Sequence, residues 1–379
     1  MPVAFTGTLN SNEIFAALYN MIISQEVFAD NIVHNHNLVD RFKVDGSMYG
    51  DTKLYYATDV LKSSKWGNDK EAENLLKLYR PTAPKCQKIT ISNYRQICLT
   101  VDNYLSKKAW STEYAFSSFN STMLGWIGET RRIYENTLLN SYVGSNETDK
   151  GKQLQTVQLS EFSTVTDLES KNRLRAQKIA NHLADLFVLL GDYSREYNDY
   201  EFLRSYSEAD FIIIGNSKYI KEITYMDLPT IFHTDKLNFA DKVILLPSRY
   251  FGVAGKVDSQ KAQTADGSTI RALDEVEVTL PEGGTKHLFA GEIIPTGVQV
   301  ASTTEIKVPF YTQKDNIICK VIHKRAIPFM SAFEVATDFF NSKSLTETHY
   351  LTWGFSNLDY LANYPFITVC FATLTIFAM

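Results

Sequence analysis

The stretch from Ser111 to Gly144 sets the strongest constraint on the fold. Phe116, Phe119, Met123, Trp126, Ile127, Ile133, Tyr134 and Leu138 recur at steps of three, four and seven, so they fall in one broad stripe of a 3.6-residue helix. Ser111 or Thr112 can cap the start, because a hydroxyl there accepts from an otherwise unpaired N–H. Gly144 suits the left-handed residue that closes a helix. About thirty residues at about 1.5 Å each make a rod of roughly 45 Å, well beyond the common three turns. A rod of that length either crosses the core of an ordinary enzyme domain or acts as a spine on which other parts are hung.

The rest of the chain bears on that choice. Its 379 residues accommodate two or three folding units with a sizeable core. Aromatic residues reach 13%, with 21 Tyr and 23 Phe, and tyrosines favour large contact surfaces where one end of the ring stays wet. The net charge of −5 argues against a surface dedicated to nucleic acid. Cys86, Cys98, Cys319 and Cys370 form no CxxC pair, which leaves a zinc or redox motif without support. Their scatter fits reduced, buried thiols in a cytoplasmic product. Met1 to Asn12 lacks the basic start and apolar run of a secretory signal, so the sequons at Asn120 and Asn146 carry no meaning. Phe366 to Met379 is nearly all apolar, but it is shorter than the roughly twenty residues that span a bilayer. It reads as a strand buried in the core or in a subunit contact, with a tail anchor as the alternative.

In chain order, Asn10 to Asp30 has a helical pattern, with Ile14, Leu18, Met21, Ile22 and Phe28 on one side. It docks on its own chain or, as an arm, on a neighbour. Asp51–Val60 and Lys88–Val101 read as paired strands; in the second, Ile89, Ile91, Ile97, Leu99 and Val101 alternate with polar residues. Asn93 and Arg95 fall on the apolar side. Between the strands lies the polar stretch Lys62–Lys85, longer than an ordinary hairpin loop, with a short helix at Glu71–Tyr79 stopped by Arg80-Pro81.

After the turn-rich Ser145–Ser163, a second helix runs from Glu169 to Leu190 and ends at Gly191. Phe211 to Gly215 and Lys242 to Leu246 are continuous apolar runs, the signature of strands buried on both faces. With the helix opened by Asn216-Ser217 they predict a compact α/β unit. Asp266-Gly267 and Pro281-Glu282-Gly283-Gly284 mark hairpin turns in a β excursion from Gly255 to Pro295. Ile306–Pro309 and Asn316–His323 read as strands, and Phe329–Asn341 as a short helix or an extended arm.

No catalytic constellation stands out: there is no GxSxG elbow, P-loop or GxGxxG fingerprint. Ile214-Gly215-Asn216-Ser217 sits between a strand and a helix, where phosphate sites arise, but with one glycine and no Gly-Lys-Ser. His34 and His36 form a His-x-His pair with no third ligand nearby. Asp274, Glu275 and Glu277 lie in a hairpin and read as solvated. His182 and His233 have no visible Cys or Ser partner.

The order of these elements resembles the major capsid protein of tailed bacteriophages, with its Hong Kong 97-type shell fold. Two stretches carry the likeness in detail. Ala209 to Ile220, ADFIIIGNSKYI, is similar to a strand leading into a capped helix of the axial domain, and Asn357 to Phe366 looks like phage capsid C-termini. The resemblance implies an α+β fold in five parts: an N-terminal arm at 1–40, an extended β-hairpin loop at 41–106, and a peripheral domain with the spine helix at 107–168. An axial domain follows at 169–312, with the β excursion near 255–295, and residues 313–379 return to the peripheral domain. It implies a shell subunit with no catalytic, cofactor-binding or metal residues, found in the virion after assembly in the bacterial host cytoplasm. Its partners are copies of itself in pentamers and hexamers, a separate scaffolding protein, a portal, and minor capsid or decoration proteins. It encloses double-stranded DNA without sequence-specific binding and has no membrane partner. An encapsulin nanocompartment shell shares the fold, and a soluble α/β enzyme with a β insertion or a protein attached to a membrane by Phe366–Met379 are the readings from other classes.

Overall fold

The computed structural model describes residues 38–45, 52–63, 80–102, 113–158, 167–225, 243–257 and 261–372. The arm helix at Asn10–Asp30, His34, His36, Glu71–Tyr79, Ser111, Thr112 and His233 lie outside the described residues. Strands β1 (Lys43–Asp45), β2 (Thr52–Ala57) and β3 (Lys85–Asp102) precede the spine helix, Glu113–Ser145. Next come β4 (Leu154–Val157) and a flanking helix, Leu168–Gly191. Then β5 (Phe211–Asn216), a short helix (Ser217–Tyr225) and β6 (Val243–Leu246) form the expected α/β unit. The excursion holds β7 (Gly252–Ala254), β8 (Gln263–Thr264), β9 (Ile270–Ala272), β10 (Val276–Thr279), β11 (Thr285–Leu288), β12 (Gln299–Ala301) and β13 (Phe310–Gln313). The chain closes with β14 (Ile317–His323), β15 (Phe329–Asn341), β16 (Thr346–Ser356) and β17 (Phe366–Phe371).

Two five-stranded sheets organise the described residues. The first has the order β4-β17-β14-β5-β6. Every residue of β14 and β17 is buried, because helices or loops cover both faces. On one face Ile213, Val321 and Val369 pack with Ile179, Leu183, Leu186 and Phe187 of the flanking helix. That helix is started by Asp167, whose carboxylate accepts from the Ser170 N–H at 2.8 Å. On the other face Ile214, Ile322 and Phe366 pack with Leu138, Leu139 and Val143 at the end of the spine helix. The apolar C-terminal run thus begins as a strand between β4 and β14, as its composition predicts. β6 is only partly buried, because it is the edge strand paired parallel to β5.

The second sheet has the order β1-β15-β16-β3-β2. Its base joins the same core: Phe329, Trp353 and Phe355 meet Tyr134 of the spine helix, with edge-on ring contacts of 5.9 and 5.8 Å to Trp353 and Phe355. One stretch of helix, Tyr134 to Val143, is therefore common to the cores under both sheets. The excursion has a smaller core of its own around Ala272, Val278, Leu288, Val300 and Phe310. Its β10–β11 hairpin pairs Thr279 with Thr285 across Gly283 and Gly284, both at positive φ, which glycine adopts without strain.

Several sequence expectations are corrected. Gly144 does not end the spine helix in a left-handed turn; it lies within the helix, where a Cβ would sit 2.2 Å from the Tyr250 carbonyl oxygen. The stripe does not face inward along its length, since Trp126 is 51% exposed. Phe329–Asn341 is a strand and not a helix. Ile306–Pro309 makes only an isolated bridge, Ala301 to Ile306, and the strand begins at Phe310. Cys86 and Cys98 are exposed, and only Cys319 and Cys370 are buried.

Candidate functional site

Two of the groups singled out for chemistry, the Gly215-Asn216 turn and the Asp274-Glu275 pair, have structural employment. The Asn216 side chain is fully buried; it accepts from the Lys218 N–H at 3.1 Å and donates to the Ile317 carbonyl at 2.9 Å. Gly215 makes room for Ile220, whose Cγ1 would lie 2.6 Å from a Cβ there. The turn is thus filled from inside and offers no cradle for a phosphate. Asp274 and Glu275 are not simply solvated. Asp274 accepts from Arg95 at 3.1 Å, and Glu275 lies 2.8 Å from His287. Arg95 also donates to the Tyr134 hydroxyl at 3.1 Å, which explains a cation on the apolar side of β3: it ties β3, the spine helix and the excursion together. His182 is driven toward its neutral form by burial. Among the described residues, no group of three or more His, Cys, Asp or Glu is placed to hold a metal. None of their helices is long and apolar enough to cross a membrane.

Two buried polar clusters had no signal in the sequence beyond their residue types. Lys320, inside the Ile-Ile-Cys-Lys-Val-Ile run, is fully buried. It donates to the Asn146 carbonyl at 2.8 Å and to Thr368 Oγ1 at 2.9 Å, and burial lowers its pKa to about 8. It pins the chain just past the spine helix to the centre of the first sheet. Asp199 gathers Gln153 at 2.6 Å and the Tyr360 hydroxyl, which joins the loop before β4 to the C-terminal segment.

The functional geometry lies on the surface. β15 runs past the core for most of its length, and Glu334 to Asn341 is exposed at every position. Phe339 is 60% and Phe340 55% exposed, and Leu54 and Tyr56 on β2 are 50% and 67% exposed. Among the described residues, these large apolar side chains join none of the hydrophobic cores. Each such side chain gains roughly 1.5–3 kcal/mol when fully covered.

The base of the connection between β2 and β3, just past the Ala57–Lys85 pair, is held firmly. Asp59 contacts Arg195 at 2.6 Å and accepts from the Leu203 N–H at 3.0 Å, and the hydrogen bond from Arg195 pulls its pKa down to about 2. Gln87 of β3 donates to the Tyr360 carbonyl at 2.8 Å and accepts from the Ala362 N–H at 2.9 Å. Beside the exposed half of the spine helix, a groove of about 720 Å³ opens between Lys43, Gly128 and Glu334. Arg131 spans it, bonded to Glu135 at 3.0 Å and to Glu334 of β15.

Known proteins share this arrangement. A family model described as Phi29-like phage major capsid protein matches residues 6–368. The fold is similar to a chain in the capsid structure of Staphylococcus phage Andhra, with a TM-score of 0.62 at 12% identity, over 92% of this chain and 87% of that one. It is also similar to a chain in the structure of the head fiber and inner core protein gp22 of native bacteriophage P68. There the TM-score is 0.59 at 12% identity, over 98% of this chain and 95% of that one. At such identity the likeness is one of fold. No curated protein matches the sequence.

Proposed function

The chain belongs to the Phi29-like phage major capsid protein family, and from that premise we propose that it builds the icosahedral head of a tailed bacteriophage around double-stranded DNA. Family and fold make it a shell-forming, structural protein of the virion, not an enzyme. The observation that carries the finer reading is the second sheet, whose long strands expose Phe339, Phe340, Leu54 and Tyr56 away from any core of their own. Closed shells are made by repeating one heterologous contact around five-fold and six-fold centres. Many modest contacts then add up through multivalency.

In this proposal the first sheet and its helices form the axial part at the capsomer centre. The β2–β3 hairpin lies over an adjacent subunit, and the arm within residues 1–40 clamps another. The spine helix and the second sheet form the peripheral part. The net charge of −5 suits a container that confines DNA without gripping its phosphates. Assembly takes place in the bacterial host cytoplasm, with a scaffolding protein, a portal and minor capsid or decoration proteins as partners.

Negative-stain microscopy and sedimentation of the chain, alone and co-expressed with its phage's scaffolding protein, test the reading. Closed shells, tubes or capsomer rings are expected. A monodisperse monomer or dimer under both conditions overturns it.

A further inference from the structure

Among the described residues, the second sheet has an edge that is paired over only part of its length. β15 is paired on one side with β16 along its length, from Ser331–Phe355 to Asn341–Thr346. On its other side β1 covers only Phe329 to Ser331. Among the described residues, no strand pairs with the rest of that edge, and Glu334 to Asn341 is exposed throughout. Natural sheets protect an edge this long with Lys, Pro or a bulge. Glu334-Val-Ala-Thr-Asp-Phe-Phe-Asn341 has no Lys or Pro, and the shift in register lies earlier, between Ser331 and Phe333. Its only charges are Glu334 and Asp338, and the run between them and beyond them is free to pair.

We propose that this edge pairs with the β15 edge of a second copy, antiparallel about a two-fold axis at Thr337, so that two second sheets join into one across neighbouring subunits. The proposal rests on the shell-forming reading and names one of its contacts. The sequence of β15 is self-complementary in this register. A two-fold axis perpendicular to the sheet keeps each face continuous, so opposed residues lie on the same side. With the axis at Thr337, Val335 lies opposite Phe339, two exposed apolar side chains on the face away from the spine helix. Glu334 lies opposite Phe340, and Asp338 opposite Ala336. Moving the axis to Ala336 sets Glu334 against Asp338, and moving it to Asp338 sets that carboxylate against its own copy. Like charges directly opposite destabilise a strand pair, whereas aromatic and β-branched pairs stabilise it. The register at Thr337 thus pairs the whole exposed run without opposing two acids.

Cysteine crosslinking in assembled shells reads this contact. Cys86→Ser and Cys98→Ser remove the exposed thiols. Into that background go Thr337→Cys alone and, separately, Ala336→Cys with Asp338→Cys. Successive opposed pairs alternate between Cα separations of about 5.5 and about 4.5 Å, and both suit a disulfide. On oxidation with oxidised glutathione, both variants should run as dimers on a non-reducing gel and return to monomer on reduction. Shells that form normally and give no dimer from either variant overturn the pairing and leave the shell reading standing. If the Cys-to-Ser background and the unmodified chain form no shells, tubes or capsomers with the scaffolding protein present, the shell reading falls and the pairing with it.

Discussion

Lys320 has no exposure to solvent, yet its ammonium keeps two partners, the Asn146 carbonyl and the Thr368 hydroxyl. Burial still disfavours the charge, and the pKa falls from 10.5 to about 8. The direction of the pH effect follows from proton counting. Below about 8 the lysine is charged in both the folded and the unfolded chain, and the cost of burying it is present in full. Between about 8 and 10.5 the unfolded chain holds the proton and the folded chain does not, so the cost is relieved as pH rises. Lys320→Met removes the charge and leaves the carbonyl and hydroxyl short of a donor, two effects of opposite sign. Near pH 7 the variant should therefore unfold within about 2 kcal/mol of the parent. From pH 8 to 10 the parent should gain about 2–3 kcal/mol on the variant. Urea unfolding at several pH values measures this, and a difference that stays flat with pH contradicts it. Nothing in the apolar run around Lys320 announces such a role, because its partners come from residues 146 and 368.

The spine helix shows what spacing can and cannot reveal about an element. Its existence and length were legible, since a strand repeats its apolar residues at every second position and only a helix repeats them at three, four and seven. The structure gives 33 residues. Which face is buried was not legible, because cover for the second half comes from both sheets, while Leu124 and Trp126 stand exposed. Gly144 looked like a terminator for the same reason: a glycine near the end of a pattern fits a cap as well as a close approach. Its neighbours decide the matter. At Gly144 a Cβ meets backbone atoms of Tyr250 at 2.2 and 2.8 Å, which cannot swing aside, whereas at Gly125 nothing lies within 4 Å. Gly144→Ala should destabilise the subunit by roughly 1–3 kcal/mol, as overpacking does. Gly125→Ala should stabilise it by about 0.5–1 kcal/mol, the ordinary gain in a helix interior. Thermal melts of the two variants should move in opposite directions. A shared direction would mean that Gly144 is not a contact point between the helix and the loop before β7.

At the scale of the whole molecule, strands were legible one at a time and sheets were not. Phe211–Gly215, Asn316–His323 and the apolar C-terminal run each read as a buried strand, but their assembly into one sheet joins residues from about fifty to more than a hundred positions apart. The same limit hid the clamp at the base of the β2–β3 connection, where Asp59 reaches Arg195 and Leu203. That clamp bears on assembly more than on folding. Asp59 and Arg195 sit at the surface, where ion pairs add little to the stability of a single chain. Their bonds do fix the point from which the connection between β2 and β3 leaves the body. If the hairpin lies over an adjacent subunit, that point of departure is repeated at every contact of the shell. A small loss per contact then compounds over the closed assembly. Asp59→Ala should accordingly leave the melting of the isolated subunit nearly unchanged and lower the yield of shells several-fold. Deleting Lys62–Lys85 should lower it further. Sedimentation and microscopy of both variants beside the parent decide the point. Full shell yield and stability after the deletion would remove the hairpin from the assembly mechanism. Full yield from Asp59→Ala alone would keep the hairpin in it and show that its point of departure is set by Gln87 and the C-terminal segment instead.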